Sequence, residues 1–368
     1  NEGFAPVTNA KLNDSARHIP HYRLAGGLLL LMILSSVLGG AGLKDFLWIS
    51  GLCALGALLL LWQRNRRIQQ IQCLIFLAVG FACLGLAWIE GYREIPIKQL
   101  LTQNHLLISL LSAVSFLRLI TDMKRDSAIP AQTGQRAFWQ TVTGVHFFSS
   151  VINLSAFIIF GDQLKKNGTL DRTTATSVQR GFSLAALWSP FFASMGTCLL
   201  YAPGARWGDV LVYSIPLCLY GFILTWAEHR YRKDGALDHF EGYPVNFLAL
   251  WVPSLMVICV LIAHQALPEL SVLVLVSALS VGVPIVVLAI RRSLVSALKT
   301  VRDFSLNRLP DTSGEVTLFF STGVMGVGIS ALICQSPFTL GVTEFTPWVA
   351  IVTMAILLLF AIIGVHAI

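Results

Sequence analysis

Long apolar runs separated by short polar loops constrain this chain more than any other feature of its sequence. A helix needs about 20 apolar residues to cross a bilayer. Only 12% of the residues are charged, against about a quarter in soluble proteins. Apolar runs of spanning length lie at 24–43, 46–63, 73–91, 105–120, 182–205, 208–228, 249–267, 271–290, 315–334 and 346–368, and Phe138–Leu164 is a further candidate. The sequence therefore predicts an all-α polytopic membrane protein with about ten spanning helices.

The positions of Lys and Arg in the loops predict how the chain is oriented, because cytoplasmic loops are enriched in these residues. With a cytoplasmic N-terminus and a segment Phe138–Leu164 that leaves on the side it entered, 22 of the 26 basic residues lie inside. If that segment crosses instead, 11 lie inside and 15 outside. We therefore predict a re-entrant hairpin, in an integral protein of the bacterial inner membrane. The net charge of +7 belongs to this loop pattern and does not indicate nucleic-acid binding.

The centre of Phe138–Leu164 is polar, which a lipid-facing helix does not tolerate. Ser149, Ser150, Asn153 and Ser155 cluster there, at the depth where hydrogen-bond partners are scarcest. We predict that the chain turns within the sequence SSVINLSA and that these side chains form the tip of the hairpin.

A second segment, 182–205, also has polar residues and a proline at its centre. Pro190 removes a backbone donor and clashes with the preceding turn, so the helix is predicted to kink or break near Trp188–Gly196. Backbone groups freed in this way are tolerated within a membrane where they line a cavity. The polar side chains beside the predicted break are Ser189, Ser194 and Thr197.

Together the two polar segments predict a site for a small solute or ion. Helix N-termini present free N–H groups to an anion, and unwound carbonyls with Ser, Thr and Asn oxygens suit Na⁺. His146 is a candidate for proton relay or substrate binding, or it is hydrogen-bonded to a neighbouring helix. Arg118 either contacts an anion directly or forms an ion pair with Asp122 and snorkels to the interface. The predicted substrate- or ion-binding residues are Ser149, Ser150, Asn153, Ser155, Ser189, Ser194, Thr197, His146 and Arg118.

The sequence contains no motif typical of a catalytic or metal site. Patterns such as HExxH, GxSxG and the P-loop are absent. The seven cysteines lie in or beside apolar runs without a CxxC pair. We therefore expect no enzyme activity, no metal and no cofactor, apart from Na⁺ if it is the coupling ion.

The order of the segments predicts a scaffold and two repeats related by inversion, because corresponding spans enter the membrane from opposite sides. The predicted divisions are a cytoplasmic N-terminal segment 1–23, scaffold helices 24–100, a first repeat 101–228 with the hairpin and the broken helix, a cytoplasmic linker 229–248, and a second repeat 249–368 that would be incomplete at its C-terminus. Within the second repeat, 293–309 has apolar residues at helical spacing between basic ones, typical of a helix lying on the inner membrane surface.

This order of elements resembles the ion transporter superfamily, which includes citrate and dicarboxylate carriers, gluconate permeases and arsenite permeases. The resemblance rests on a hairpin with a Ser/Asn tip (SSVINLSA), followed by a helix broken at WSPFFASMG, and covers roughly 100–368. Ser149, Ser150 and Asn153 match the Ser-Asn-Thr triplet of the dicarboxylate branch only in kind. The resemblance implies a homodimer, an elevator-like movement of the hairpin domain, and transport coupled to Na⁺ or H⁺.

Our leading hypothesis from the sequence is a secondary active transporter of a small anionic solute, with membrane lipids and a second copy of the chain as partners. The main alternative is a membrane enzyme or flippase acting on a polyprenyl-linked lipid. It predicts a cleft open to the bilayer and lined by residues such as Arg118, Trp139 and Trp188. A purely structural membrane subunit is a third hypothesis.

Overall fold

The chain is built almost entirely from helices. The computed structural model describes residues 20–121, 132–165, 169–202, 204–231, 235, 237–242, 250–335 and 346–362. In chain order the helices are α1 (Pro20–Gly40), α2 (Phe46–Leu61), α3 (Arg67–Ile89), α4 (Ile97–Thr102), α5 (His105–Val114), α6 (Gly134–Ile152), α7 (Leu154–Leu164), α8 (Arg172–Ala185), α9 (Ala193–Tyr201), α10 (Trp207–Tyr231), α11 (Trp251–Ala266), α12 (Val272–Arg291), α13 (Leu294–Asn307), α14 (Ser313–Gln335) and α15 (Pro347–Ile362). Short 3₁₀ turns lie at Trp62–Arg64, Ser115–Leu119 and Leu309–Thr312.

Among the residues that the structure describes, seven helical stretches are long and apolar enough to cross a membrane, which confirms an all-α integral membrane protein. They are Pro20–Gly40, Phe46–Arg64, Arg67–Ile89, Ile97–Leu119, Trp207–Tyr231, Val272–Arg291 and Leu309–Gln335. Two shorter apolar helices, Trp251–Ala266 and Pro347–Leu359, fall on further predicted spans. Each of these stretches overlaps an apolar run of the sequence; the total of about ten spans, the orientation and the inverted repeat stay predictions.

The segment 138–164 is not one continuous helix. The hairpin hypothesis requires such a break. Helix α6 ends at Ile152, Asn153 breaks the helical path, and α7 begins at Leu154. The rings of Phe148 and Phe160 lie 5.9 Å apart, whereas twelve residues of unbroken helix would separate them by about 18 Å. The chain therefore folds back at the predicted position. Its re-entry into a bilayer stays a prediction.

The segment 182–205 is also broken, although its first half differs from the prediction. Helix α8 ends at Ala185 and α9 begins at Ala193, so the break starts slightly before the predicted Trp188. Helix α8 begins at Arg172, before the predicted run 182–205, and so includes part of the polar stretch 165–180. This polar stretch can be helical because α8 packs through small residues. A Cβ on its Gly181 would lie 2.9 Å from the carbonyl oxygen of Val142 in α6.

Two hydrophobic cores share helices α5 and α12. The first joins them to α1, α2, α13 and α14, with Leu29, Ala57 and Leu107 among its buried residues. The second packs the α6–α7 hairpin, α9 and α11 against the other faces of α5 and α12. Helices α5 and α12 thus hold the hairpin against the remaining helices.

Helices α3 and α14 approach one another most closely through glycines. A side chain on Gly328 would overlap the backbone of Gly80, and a Cβ on Gly80 would lie 2.8 Å from the carbonyl oxygen of Val324. Small residues allow helix backbones to touch in this way. A Cβ on the neighbouring Gly323 would instead lie 3.3 Å from the Asn104 side-chain amide, and a Cβ on Gly326 would meet open space.

The base of the hairpin is joined to the predicted linker 229–248. Strand β1 (Gln132–Thr133) pairs antiparallel with strand β2 (Glu241–Gly242). Phe138 of α6 packs edge-on against Phe240 of the linker, with ring centroids 5.6 Å apart. The described part of the linker is therefore a structural support for the hairpin.

Candidate functional site

The hairpin tip closes one side of a charged recess of about 210 Å³. Seven polar residues line it, and we call it the tip recess: Ser115, Arg118, Asn153, Arg308, Asp311, Thr312 and Glu315. Apolar side chains complete its wall, namely Leu111, Val114, Ile152, Ile158 and Phe304. Two arginines and two carboxylates give it no net formal charge.

Arg118 reaches the recess from the tight turn that follows α5. The 3₁₀ geometry of Ser115–Leu119 turns Phe116 inward, where it is fully buried and packs on Phe304 with centroids 5.0 Å apart. Arg118 itself stays exposed, within electrostatic reach of Asp311, Glu315 and Arg308. Asp122, the partner predicted from helical spacing, lies outside the described residues. The described acidic neighbours of Arg118 thus come from the far end of the chain.

Asp311 is held from the opposite side of the recess. The hydroxyl of Tyr22, at the start of α1, donates to Asp311 Oδ1 over 2.8 Å. The guanidinium of Arg64 lies 4.6 Å from the centre of the Tyr22 ring, at cation–π distance. These contacts supply one stable partner to the Asp311 carboxylate. Glu315, half-buried at the first turn of α14, lies deeper than the exposed Asp311.

Asn153 adopts a backbone conformation that L-residues rarely occupy. Its φ is 52° and its ψ is −137°, which places it outside the allowed regions for residues with a Cβ. Such geometry costs of the order of 1–3 kcal/mol and persists only where the surroundings enforce it. Its amide has no hydrogen-bond partner within the described part of the chain and is half-buried beside the tip recess.

His146 connects three elements rather than facing the tip recess. Its Nδ1 lies 3.1 Å from the carbonyl oxygen of Gly181, and its Nε2 accepts from Trp188 Nε1 at 3.0 Å. With Nδ1–H donating and Nε2 accepting, the imidazole is neutral. The alternative interpretation from the sequence, a histidine bonded to neighbouring helices, matches these contacts.

The serines of the hairpin tip do not share one surface. Ser149 is fully buried without a hydrogen-bond partner among the described residues. The hydroxyl of Ser150 donates to the carbonyl of Phe147 over 2.7 Å. Ser189, from the break, donates to the carbonyl oxygen of Ser150. The side chain of Ser155 lies outside the described residues.

The remaining predicted residues lie on α9, away from the tip recess. Ser194 is exposed, and its hydroxyl donates to the carbonyl of Ala186 over 3.2 Å. Thr197 is half-buried one turn further along α9. Of the predicted residues whose side chains the structure describes, only Asn153 and Arg118 line the tip recess. The other described ones support the fold around the break or face other surfaces.

Sequence reasoning missed Arg308, Asp311 and Glu315. Arg308 is the last basic residue of the segment predicted to lie on the membrane surface, and Glu315 is the first residue of the predicted apolar run 315–334. An acid in such a position was the available signal. Nothing local in the sequence indicates that it lies beside Arg118, nearly 200 positions earlier in the chain.

A second recess, of about 350 Å³, lies on another face of the hairpin and is mainly apolar. It is bounded by Phe147, Ser150, Trp188, Leu250, Pro253, Ser254, Val257 and Ile258. We call it the apolar groove. Trp188 is in the groove, Arg118 in the tip recess, and Trp139 packs on Phe138 with centroids 5.3 Å apart. The three residues expected to line one lipid cleft are therefore in three places.

The described residues indicate no metal centre, and the comparisons with known proteins indicate no family. The described residues contain no group of three or more His, Cys, Asp or Glu side chains placed to hold a metal ion. No family model, curated protein or solved structure matched the chain. The geometry of the tip recess is therefore the basis for the functional proposal.

Proposed function

We propose that this protein is a secondary active transporter of a small anion, and that the tip recess is its binding site. The observation that carries the proposal is the meeting of Asn153 and Arg118. Asn153, at the strained tip of the hairpin, offers an amide donor to this recess. Arg118, on the turn after α5, offers a charged donor to the same recess. Arginine forks match carboxylates in a bidentate manner.

The size and openness of the tip recess support a small solute. A space of 210 Å³ has the volume of about seven liquid waters at about 30 Å³ each. This suits a short mono- or dicarboxylate better than a lipid. The exposed Arg118 and Arg308 would meet the anion first, and the half-buried Asn153 would contact it deeper in the recess.

Transport would require the recess to open alternately to the two sides of the membrane. The hairpin is the element suited to this movement because it folds back on itself and forms only one wall of the recess. The superfamily resemblance adds elevator-like movement, a homodimer and coupling to Na⁺ or H⁺ to the proposal.

A ligand that binds only the native state raises its apparent stability. Purified protein should therefore be screened for thermal stabilisation by acetate, lactate, succinate and phosphate, with and without Na⁺.

Arg118→Lys is the decisive variant for this proposal. It keeps the charge and removes the fork, so we expect affinity for the stabilising anion to fall about tenfold, as loss of about 1.4 kcal/mol gives. Uptake of the radiolabelled anion into proteoliposomes measures the effect. Arg180→Lys is the matched control, because Arg180 pairs with Glu228 at 2.5 Å on a partly exposed surface outside the recess. Equal losses in the two variants would remove Arg118 from the site.

The apolar groove favours one alternative, the handling of a lipid-linked substrate. Its borders include Phe147 and Ile258, which are 44% and 52% exposed, so it opens on an apolar surface. The groove has no basic residue on its described lining to hold a phosphate head group. Native mass spectrometry from membranes containing polyprenyl phosphate separates the two functions. Stoichiometric lipid that Trp188→Ala releases, with no anion uptake, would favour the alternative.

A further inference from the structure

The charge balance of the tip recess bears on how an anion could enter it. Arg118 and Arg308 carry two positive charges, and Asp311 and Glu315 carry two negative charges. A monovalent anion placed among them leaves one negative charge uncompensated. Uncompensated charge is costly near apolar walls, and a carboxyl group in such a position tends to take up a proton instead.

The two carboxylates are not equivalent as proton acceptors. Asp311 is exposed to solvent and accepts a hydrogen bond from the Tyr22 hydroxyl. Glu315 is half-buried, and Arg118 is the cation whose attraction acts on it. An anion that takes Arg118 as its partner removes that attraction and adds a like charge beside Glu315. Both changes favour protonation of Glu315.

Several elements supply the charged and titratable groups around Glu315. Arg118 faces it from the turn after α5, and Arg308 and Asp311 face it from the link between α13 and α14. Tyr22 and Arg64 stand behind Asp311. The side chain of Gln69, from α3, packs against Gly314 and is neutral. These are the titratable and charged groups that the described residues place around it.

We infer that Glu315 is the proton-coupling residue of the tip recess, so that binding of one carboxylate anion to Arg118 is accompanied by uptake of one proton on the Glu315 carboxylate. The proton comes from bulk water and no covalent bond to the anion forms. The inference rests on the proposed anion site and assigns its coupling to H⁺. It also predicts that the loaded recess is electrically neutral, as required for it to move across an apolar barrier.

Calorimetric titration of the purified full chain with acetate, lactate and succinate tests this directly. Titrations in two buffers with different ionisation enthalpies report the protons taken up per anion bound. We expect close to one proton per acetate or lactate bound to the wild type, and close to none for Glu315→Gln, whose neutral side chain resembles the protonated acid. The wild-type Kd should rise by up to about tenfold per pH unit above the pH at which Glu315 ionises in the free protein. The Kd of Glu315→Gln should change little.

Two further variants separate Glu315 from its surroundings. Glu228→Gln makes the same change in an exposed ion pair outside the recess, and should keep wild-type proton uptake. Asp311→Asn tests the charge balance: it leaves the recess with a bound monovalent anion neutral without a proton, so its proton uptake should also fall although Glu315 is intact. Loss of uptake in Asp311→Asn but not in Glu315→Gln would overturn the assignment.

The outcomes distinguish this inference from the function on which it rests. Anion binding without proton uptake, uptake that persists in Glu315→Gln, or binding that needs Na⁺ and takes up no proton would overturn the inference alone. If none of the three anions binds to the wild type at any pH, the proposed anion site is overturned and the coupling role with it.

Discussion

Asn153 combines an unfavourable backbone with a side chain directed to the tip recess. Its φ and ψ angles resemble the first central position of a type II′ turn, where glycine is usual. Glycine would fit this conformation without strain. The presence of asparagine is therefore best explained by its amide, which glycine cannot replace.

Asn153→Gly should separate stability from function. We expect the variant to be more stable by about 1 kcal/mol, because the strain at this position is relieved, and to lose affinity for the anion. Chemical denaturation or thermal unfolding in detergent measures the first effect, and calorimetric titration the second. Asn153→Ala is the control: it loses the amide but keeps the strain. A glycine variant that is less stable than the alanine variant would contradict the strain argument.

At the scale of single residues the sequence predicted part of the site. It identified Asn153 and Arg118, because polar groups in apolar runs stand out. It could not sort the tip residues by direction, since successive helical residues point about 100° apart. Ser149 consequently lies in a buried interface, and Ser150 borders the apolar groove. Arg308 and Glu315 reach the site through tertiary packing, which no local pattern records.

At the scale of elements, the break and the hairpin are linked by hydrogen bonds. Trp188 Nε1 donates to His146, and the Trp188 carbonyl accepts from Trp207 Nε1 over 2.8 Å. Ser189 donates to the carbonyl of Ser150. The break therefore binds the hairpin on one side and the start of α10 on the other. Movement of the hairpin would carry the break with it.

Helix α8 shows why a polar segment can be helical. Its sequence RTTATSVQRGFSLA has few large apolar residues, yet Thr173, Ser177 and Gly181 are buried against its neighbours. Small side chains allow close packing without a strong hydrophobic pattern. The helix begins with an N-cap, since Asp171 Oδ1 accepts from the backbone N–H of Thr174 over 2.9 Å.

Removal of that cap should destabilise the protein. We expect Asp171→Ala to cost about 1 kcal/mol of unfolding free energy, and Asp171→Asn to cost less because an amide oxygen still accepts. Partial burial acts to raise the pKa of Asp171, but hydrogen bonds from Thr174 and Thr173 outweigh it and hold that pKa below its ordinary value.

The sign of the pH dependence at Asp171 follows from this lowered pKa. The contribution of the ionised cap is present above the unfolded-state pKa and is lost as pH falls through the folded-state pKa. The difference in thermal stability between wild type and Asp171→Ala, measured from neutral to acid pH, should shrink as the pH falls. A difference that grows towards acid pH would contradict the capping role.

At the scale of the whole molecule, the positions of the helices were largely predictable, because spanning length and apolar composition are strong signals. The fold-back at Asn153 was predicted from a charge count and is present. The 3₁₀ end of the fourth span and the helical start of α8 were not, since Phe116 of the first packs on Phe304 of α13 and Gly181 of the second packs against α6.

Cysteine labelling should show that the loops on either side of the hairpin share one face of the membrane. Cysteine at position 165, after α7, should react with an impermeant maleimide from the same side as cysteine at the exposed position 136, before the hairpin. Cysteine at the exposed position 93 should react from the opposite side. The exposed Cys198 and Cys334 are first replaced by serine. Labelling of position 165 from the same side as 93 would mean that 138–164 crosses the membrane, contrary to the hairpin.

The contact between Gly80 and Gly328 has a mechanical consequence. Two helices whose backbones touch cannot slide or rotate past each other without steric clash, so we expect α3 and α14 to behave as one rigid unit. Glu315 lies in the first turn of α14, whereas Asn153 lies on a hairpin held through side chains and hydrogen bonds. One side of the tip recess is therefore fixed, and we expect its width to be set by the position of the hairpin.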